Sequence, residues 1–205
     1  MKVDVSIRFL EWDNSASMIY ARYYPTLTIL KNGKVLVTGG GDGENQHIAE
    51  LYDSSTGNWT TTGSIHEARY RHIASLLQNG KVLIAGGTNA MRTLIDSAEL
   101  YDPETGIWTP TGTMNVARTW HTATVLLNGK VLVVGGYGHD PIEPIDSAEL
   151  YDPSTGNWTF TGSMSNGQEQ NTASTLANGK VLMAGYNAEV YDPSTGNWSS
   201  TGSIE

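Results

Sequence analysis

A chain of 205 residues, 39% hydrophobic and carrying 23 glycines, is long enough for one domain with a sizeable core and suits a turn-rich folded protein rather than a disordered one. Its formal charge of -9 works against phosphate-backbone and anionic-membrane binding, which need clustered Lys and Arg, and zero cysteines leave no disulfide framework, thiol nucleophile or thiolate metal ligand. No apolar run approaches the roughly 18 residues of a membrane helix, and the opening MKVDVSIRFLEW lacks the apolar stretch and cleavage site of a signal peptide, so the chain is expected to be soluble, with its compartment open.

Met1 to Asn14 comes first. Within it IRFLEWD places Trp12 six residues before Met18, the separation that recurs between Trp108 and Met114 and between Trp158 and Met164. This segment is read as one further outer strand. Beyond it the chain repeats itself. NGKVLVTGG from Asn32 returns as NGKVLIAGG from Asn79, NGKVLVVGG from Asn128 and NGKVLMAGY from Asn178. The lysines of the four copies, Lys34, Lys81, Lys130 and Lys180, lie 47, 49 and 50 residues apart, which is a structural period.

Each copy opens with an alternating apolar stretch, such as His121 to Leu127, followed by Asn-Gly and a second apolar stretch. These are strands a and b of a hairpin. Asn-Gly tolerates positive φ at both central positions, so a two-residue type I′ turn is expected. After a variable segment, Ser147 to Pro153 (SAELYDP) is typical of a third strand, c. A Ser-Thr-Gly-Asn turn then leads into strand d, which carries the tryptophan. Four short antiparallel strands per period predict an all-β propeller with four four-stranded blades, at about 15–65, 66–114, 115–164 and 165–205 of a single domain 1–205.

The double glycine closing strand b, followed by a Tyr and a Trp seven positions apart in number, resembles the kelch-repeat family. Gly39-Gly40 leads to Tyr52 and Trp59, Gly86-Gly87 to Tyr101 and Trp108, and Gly135-Gly136 to Tyr151 and Trp158. The fourth copy departs: Gly185 is followed by Tyr186, although Tyr191 and Trp198 keep their spacing, so its b to c connection is expected to be almost a tight turn. The resemblance covers residues 15–205 and implies a kelch-type β-propeller far more than an activity. All eight Tyr and Trp rings are assigned to the core between blades. Glu50, Glu99, Glu149 and Glu189, two residues before each tyrosine, recur together with Arg22, Arg69 and Arg118, which suggests a buried Arg and Glu pair at each blade junction. Gln168 replaces the arginine in the fourth copy, so a weaker junction is expected there.

Four blades can close as a small ring, form an arc completed by self-association, or belong to a longer protein; the sequence leaves the three open. Alternating strand directions put the a to b and c to d turns on one face of the propeller and the variable b to c and d to a connections on the other. Varying loops on a repeated scaffold are where binding usually sits. At the mouth of the ring the four copies place Tyr24, Arg71, Trp120 and Gln170, with Tyr137 and His139 in the longest loop nearby. These six form the candidate ligand site. Two aromatics, a forked cation and an amide suit an acidic side chain of a protein partner or a hydroxylated ligand such as a carbohydrate.

No catalytic constellation stands out, and neither a cofactor nor a metal is assigned. Tyr70 stands where a His-Glu-x-x-His zinc motif would need its second histidine. Gly39 to Asn45 is glycine-rich but leads into a strand, so it offers no helix N-terminus to a phosphate; calcium through Asp42, Glu44 and Asn45 is a weaker reading than a solvated loop. Acid and base groups at His139, Asp140 and Glu143 share their loop with two prolines, which suits a stiff recognition loop equally well. Galactose oxidase, an enzyme on a similar propeller, uses a cysteine-linked tyrosine with copper, and a chain without cysteine cannot form it. The resulting expectation is a non-enzymatic binding or scaffolding propeller with a protein or peptide partner, a lectin-like or self-assembling module being the alternatives.

Overall fold

A computed structural model describes residues 16–40, 47–138 and 143–201. The extra strand expected over Ile7 to Asp13, and the calcium reading of Asp42, Glu44 and Asn45, lie outside these residues, as do His139 and Asp140. The architecture is all β, in four antiparallel sheets of four strands. The first holds β1 (Thr26–Ile29), β2 (Val35–Thr38), β3 (Ala49–Asp53) and β4 (Asn58–Thr62). The second holds β5 (Ile73–Leu76), β6 (Val82–Ala85), β7 (Ala98–Asp102) and β8 (Ile107–Pro110). The third holds β9 (Thr122–Val125), β10 (Val131–Val134), β11 (Ala148–Asp152) and β12 (Asn157–Phe160). The fourth holds β13 (Thr172–Thr175), β14 (Val181–Ala184), β15 (Ala188–Asp192) and β16 (Asn197–Ser200). Each sheet keeps strict sequence order, the meander of a propeller blade.

The Asn-Gly hairpins differ from expectation. Among these turn residues only the glycine takes positive φ, as in Gly33 at 82° and Gly80 at 88°. Gly33 donates its N–H to the Leu30 carbonyl at 3.0 Å, and Leu30 donates to Lys34 across the loop at 2.8 Å. The connection is therefore a three-residue loop ending on a left-handed glycine rather than a two-residue type I′ turn. Asparagine is selected for its side chain: Oδ1 of Asn32 accepts the Lys34 N–H at 3.1 Å, and Asn79, Asn128 and Asn178 repeat the bond. The lysine that follows reaches the aspartate closing strand c of its own blade, from Lys34–Asp53 at 3.3 Å to Lys180–Asp192 at 3.0 Å. Half-exposed pairs of this kind contribute little stability, yet they tie the two tight turns of every blade together.

Apolar residues stand on both faces of each sheet, and neighbouring sheets pack face to face. Leu30, Leu36 and Ala49 of the first blade meet Val82, Ile84, Tyr101 and Trp108 of the second. Leu77, Leu83, Ala85 and Ala98 of the second meet Val131, Val133, Tyr151 and Trp158 of the third. Leu126, Leu132, Val134 and Ala148 of the third meet Val181, Met183 and Tyr191 of the fourth. Tyr101, Tyr151, Tyr191, Trp108 and Trp158 are buried as expected, whereas Tyr52, Trp59 and Trp198 are only partly buried. Tyr52 and Trp59 lie on the face of the first sheet that no other sheet covers. The inner strands adjoin in the order β1, β5, β9, β13, and among the described residues β13 does not pack on β1 in the same way, so the four sheets form an open arc.

The recurring Arg and Glu do pair. Arg22 meets Glu50 at 2.7 Å, Arg69 meets Glu99 at 3.4 Å and Arg118 meets Glu149 at 2.9 Å, all with buried side chains. The arginine lies in the segment that crosses from one blade to the next, and the glutamate on strand c of the blade it enters. Backbone N–H groups of the crossing segment also donate to the glutamate, as Asn115 and Val116 do to Glu149. In the fourth repeat the buried Gln168 replaces the arginine; among the described residues its Nε2 has no hydrogen-bond partner, and Glu189 accepts from Ser165 alone.

Candidate functional site

The mouth of the arc is built by the residue that precedes each inner strand by two positions. Tyr24, Arg71, Trp120 and Gln170 all sit in the left-handed region, with φ of 52°, 57°, 57° and 53°. A side chain with a Cβ is uncommon there, and four in register mark a constraint shared by the repeats. The geometry that holds them is a ladder between blades. Arg71 N–H donates to the Tyr24 carbonyl at 3.4 Å, Trp120 N–H to Arg71 at 3.3 Å and Gln170 N–H to Trp120 at 3.1 Å. The left-handed turn thus aims one N–H at the preceding blade and turns the side chains inward.

Those four side chains line one cavity of about 330 Å³ together with Pro25, His72, His121 and Asn171. Arg71 stands at its centre. Its guanidinium carbon lies 4.7 Å from the Tyr24 ring centroid, 4.5 Å from that of Trp120 and 5.2 Å from that of Tyr70. Tyr24 and Trp120 meet edge to face at 5.0 Å. Cation–π contact holds the guanidinium between the rings, its Nε is buried without a hydrogen-bond partner, and no ion pair engages Arg71 among the described residues. A positively charged fork with aromatic walls is thereby presented by a chain that is strongly acidic overall.

Below the rim lies a buried layer. His72 and His121 are buried, and Nε2 of His72 contacts the hydroxyls of Thr26 at 3.0 Å and Thr38 at 3.4 Å. Burial pushes His72 down to about 3, with Arg69 adding to the shift; burial, Arg118 and His72 hold His121 well below the ordinary histidine value. Both rings are therefore neutral at pH 7. They also account for the glycine pair. A Cβ on Gly39 would lie 2.6 Å from Cε1 of His72, and one on Gly86 the same distance from Cε1 of His121, each in the following blade. The second glycine faces its own inner strand: a Cβ on Gly87 would lie 2.6 Å from the Tyr70 carbonyl and 2.9 Å from Cβ of His72. The signature glycines keep the blades close enough for the rim residues to converge.

The other two candidates are placed differently. Tyr137 does not line the cavity; its hydroxyl donates to Glu169 at 2.9 Å, and this bond holds the phenol above its usual range. His139 lies outside the described residues. Glu169, next to Gln170, and Tyr70, next to Arg71, were not singled out from the sequence; adjacency to the rim position was their only signal. Among the described residues no three His, Asp or Glu side chains group as a metal site would require.

Residues 69–115 and 121–165 match the family model of the kelch motif, which covers the second and third sheets and part of the connections into them. No match was found among curated proteins.

Proposed function

We propose that this chain, whose second and third repeats match the kelch motif, is a non-enzymatic interaction scaffold that receives a protein or peptide partner at the mouth of its arc. One observation carries this reading: Tyr24, Arg71, Trp120 and Gln170, from four different blades, converge on one cavity, and among the described residues no ion pair engages the Arg71 guanidinium. A carboxylate of the partner is the group that this fork fits, by charge and by paired donors. A lectin-like reading is less well supported, because the inward parts of the Tyr24 and Trp120 rings already hold the Arg71 cation, which leaves less ring surface for stacking a sugar.

The test is selection of peptides from a random display library on the immobilised chain, followed by calorimetry of the selected peptide. Arg71→Ala and Trp120→Ala should each weaken binding by at least tenfold, because truncating a central anchor typically costs about 2 kcal/mol or more. If both variants bind as the parent does, the mouth is not the binding site. If only glycans are retained, the lectin-like reading replaces this one.

A further inference from the structure

The two ends of the arc carry the two halves of a junction that the chain already makes three times. Inside the arc, the forward face of each blade presents a leucine from strand a, a leucine from strand b and an alanine from strand c: Leu30, Leu36 and Ala49; Leu77, Leu83 and Ala98; Leu126, Leu132 and Ala148. All nine are at most 3% exposed. The fourth blade has the same set, Leu176, Leu182 and Ala188, but these are partly exposed, and Ala184 is exposed where its counterparts Ala85 and Val134 are buried.

The backward face of the first blade shows the converse. Leu27 is 66% exposed and Ile29 70% exposed, although their counterparts Ala74, Leu76, Ala123 and Val125 pack against inter-blade clusters. Only the outer part of this face is covered. Trp59 Nε1 donates to the Ala16 carbonyl at 2.8 Å, just as Trp108 does to Gly63 and Trp158 to Gly112, so the chain itself supplies the crossing segment that a preceding blade would provide. Met18 occupies the place of Ile65, Met114 and Met164 in that segment; they are 3% exposed and it is 36% exposed. Among the described residues, what is missing against the first sheet is the set of inner strands, and those are what the fourth sheet leaves open.

The geometry points to a second copy of this chain as the occupant, the forward face of the fourth blade of one copy packing on the backward face of the first blade of the other. Such a contact is head to tail, and it closes when the rotation returns to the start. Two arcs of four blades make eight, within the four to eight that closed propellers hold. The contact buries both open faces and leaves the Tyr24 to Gln170 mouth unused by it, so it does not depend on the function proposed above.

Sedimentation velocity across a wide concentration series, with the full chain, tests this. The expected result is a discrete species of two chains. Ile29→Glu blocks one half of the junction and Ala184→Glu the other; both sites are exposed, and retained circular dichroism and melting confirm the fold. Each variant alone should run as a monomer, because every copy then lacks the same half. An equimolar mixture should recover a two-chain species, since one variant keeps the fourth-blade face and the other the first-blade face. A parent chain that stays monomeric overturns the inference, and so does assembly that survives either substitution or a mixture that remains monomeric.

Discussion

His72 and His121 show how a repeat can place an ionisable group where its charge is excluded. Each ring fills the space left by the first glycine of the preceding blade, and burial holds both neutral. In the unfolded chain a histidine takes its proton near pH 6.5, whereas folded His72 resists until about 3. Below pH 6.5 the unfolded state therefore binds more protons, and stability must fall as the pH drops; above it the histidines contribute no slope. His72 should add about 1.4 kcal/mol per pH unit between 6.5 and about 3, and His121 acts in the same direction. Asp152 and Asp192, lowered from 3.8 to about 2 by their serine and lysine partners, lose their contribution mainly as the pH falls below 4, so the histidine slope is read above that pH. Urea denaturation at pH 7, 6, 5 and 4 is the measurement. His121→Asn, a residue that the fourth repeat already carries as Asn171, should flatten the profile; an unchanged slope would mean that the ring is hydrated and protonates freely.

At the scale of the element, the crossing segment and strand c form one unit, and the four repeats offer an internal comparison. Removing the charge of Glu99 leaves the fully buried Arg69 with only the half-exposed Glu67 at 3.7 Å as a counter-charge, and breaking one side of a buried pair typically costs about 3–5 kcal/mol. Removing the charge of Glu189 strands no cation, since Gln168 stands in the arginine position. Glu99→Gln should therefore lower the melting temperature several times more than Glu189→Gln, and equal losses would contradict the assignment. This contrast was legible in the sequence, because the arginine and glutamate recur with the period and the exception is visible. Strand order and the sheet faces were legible for the same reason. The Asn-Gly turn was not, since two-residue and three-residue loops share that dipeptide and differ only in where the hydrogen bonds fall. Nor was the Arg71 stack: the rim position could be found by aligning the repeats, but the contact of Tyr24 with Trp120 across an intervening blade depends on a left-handed backbone that no residue type at those four positions announces.

The whole molecule behaves as a one-dimensional stack in which each sheet is held by its neighbours, so local stability should follow the number and quality of its junctions. The second and third sheets are covered on both faces and carry the Arg69 and Arg118 pairs. The first is covered by a sheet on one side only but keeps the Arg22 and Glu50 pair and the Ala16 contact. The fourth has one covered face and no pair. Amide exchange of the dissociated chain should accordingly be slowest across β5–β12, faster in β1–β4 and fastest in β13–β16. If exchange is instead uniform, the arc unfolds as a single unit and the end blades are held by contacts other than these. Repeating the measurement at rising concentration separates the two kinds of end: a head-to-tail contact covers both open faces at once, so β1 and β14 must gain protection together. Protection of one end alone would mean that the two faces do not meet, however similar their residues are to the junctions inside the chain.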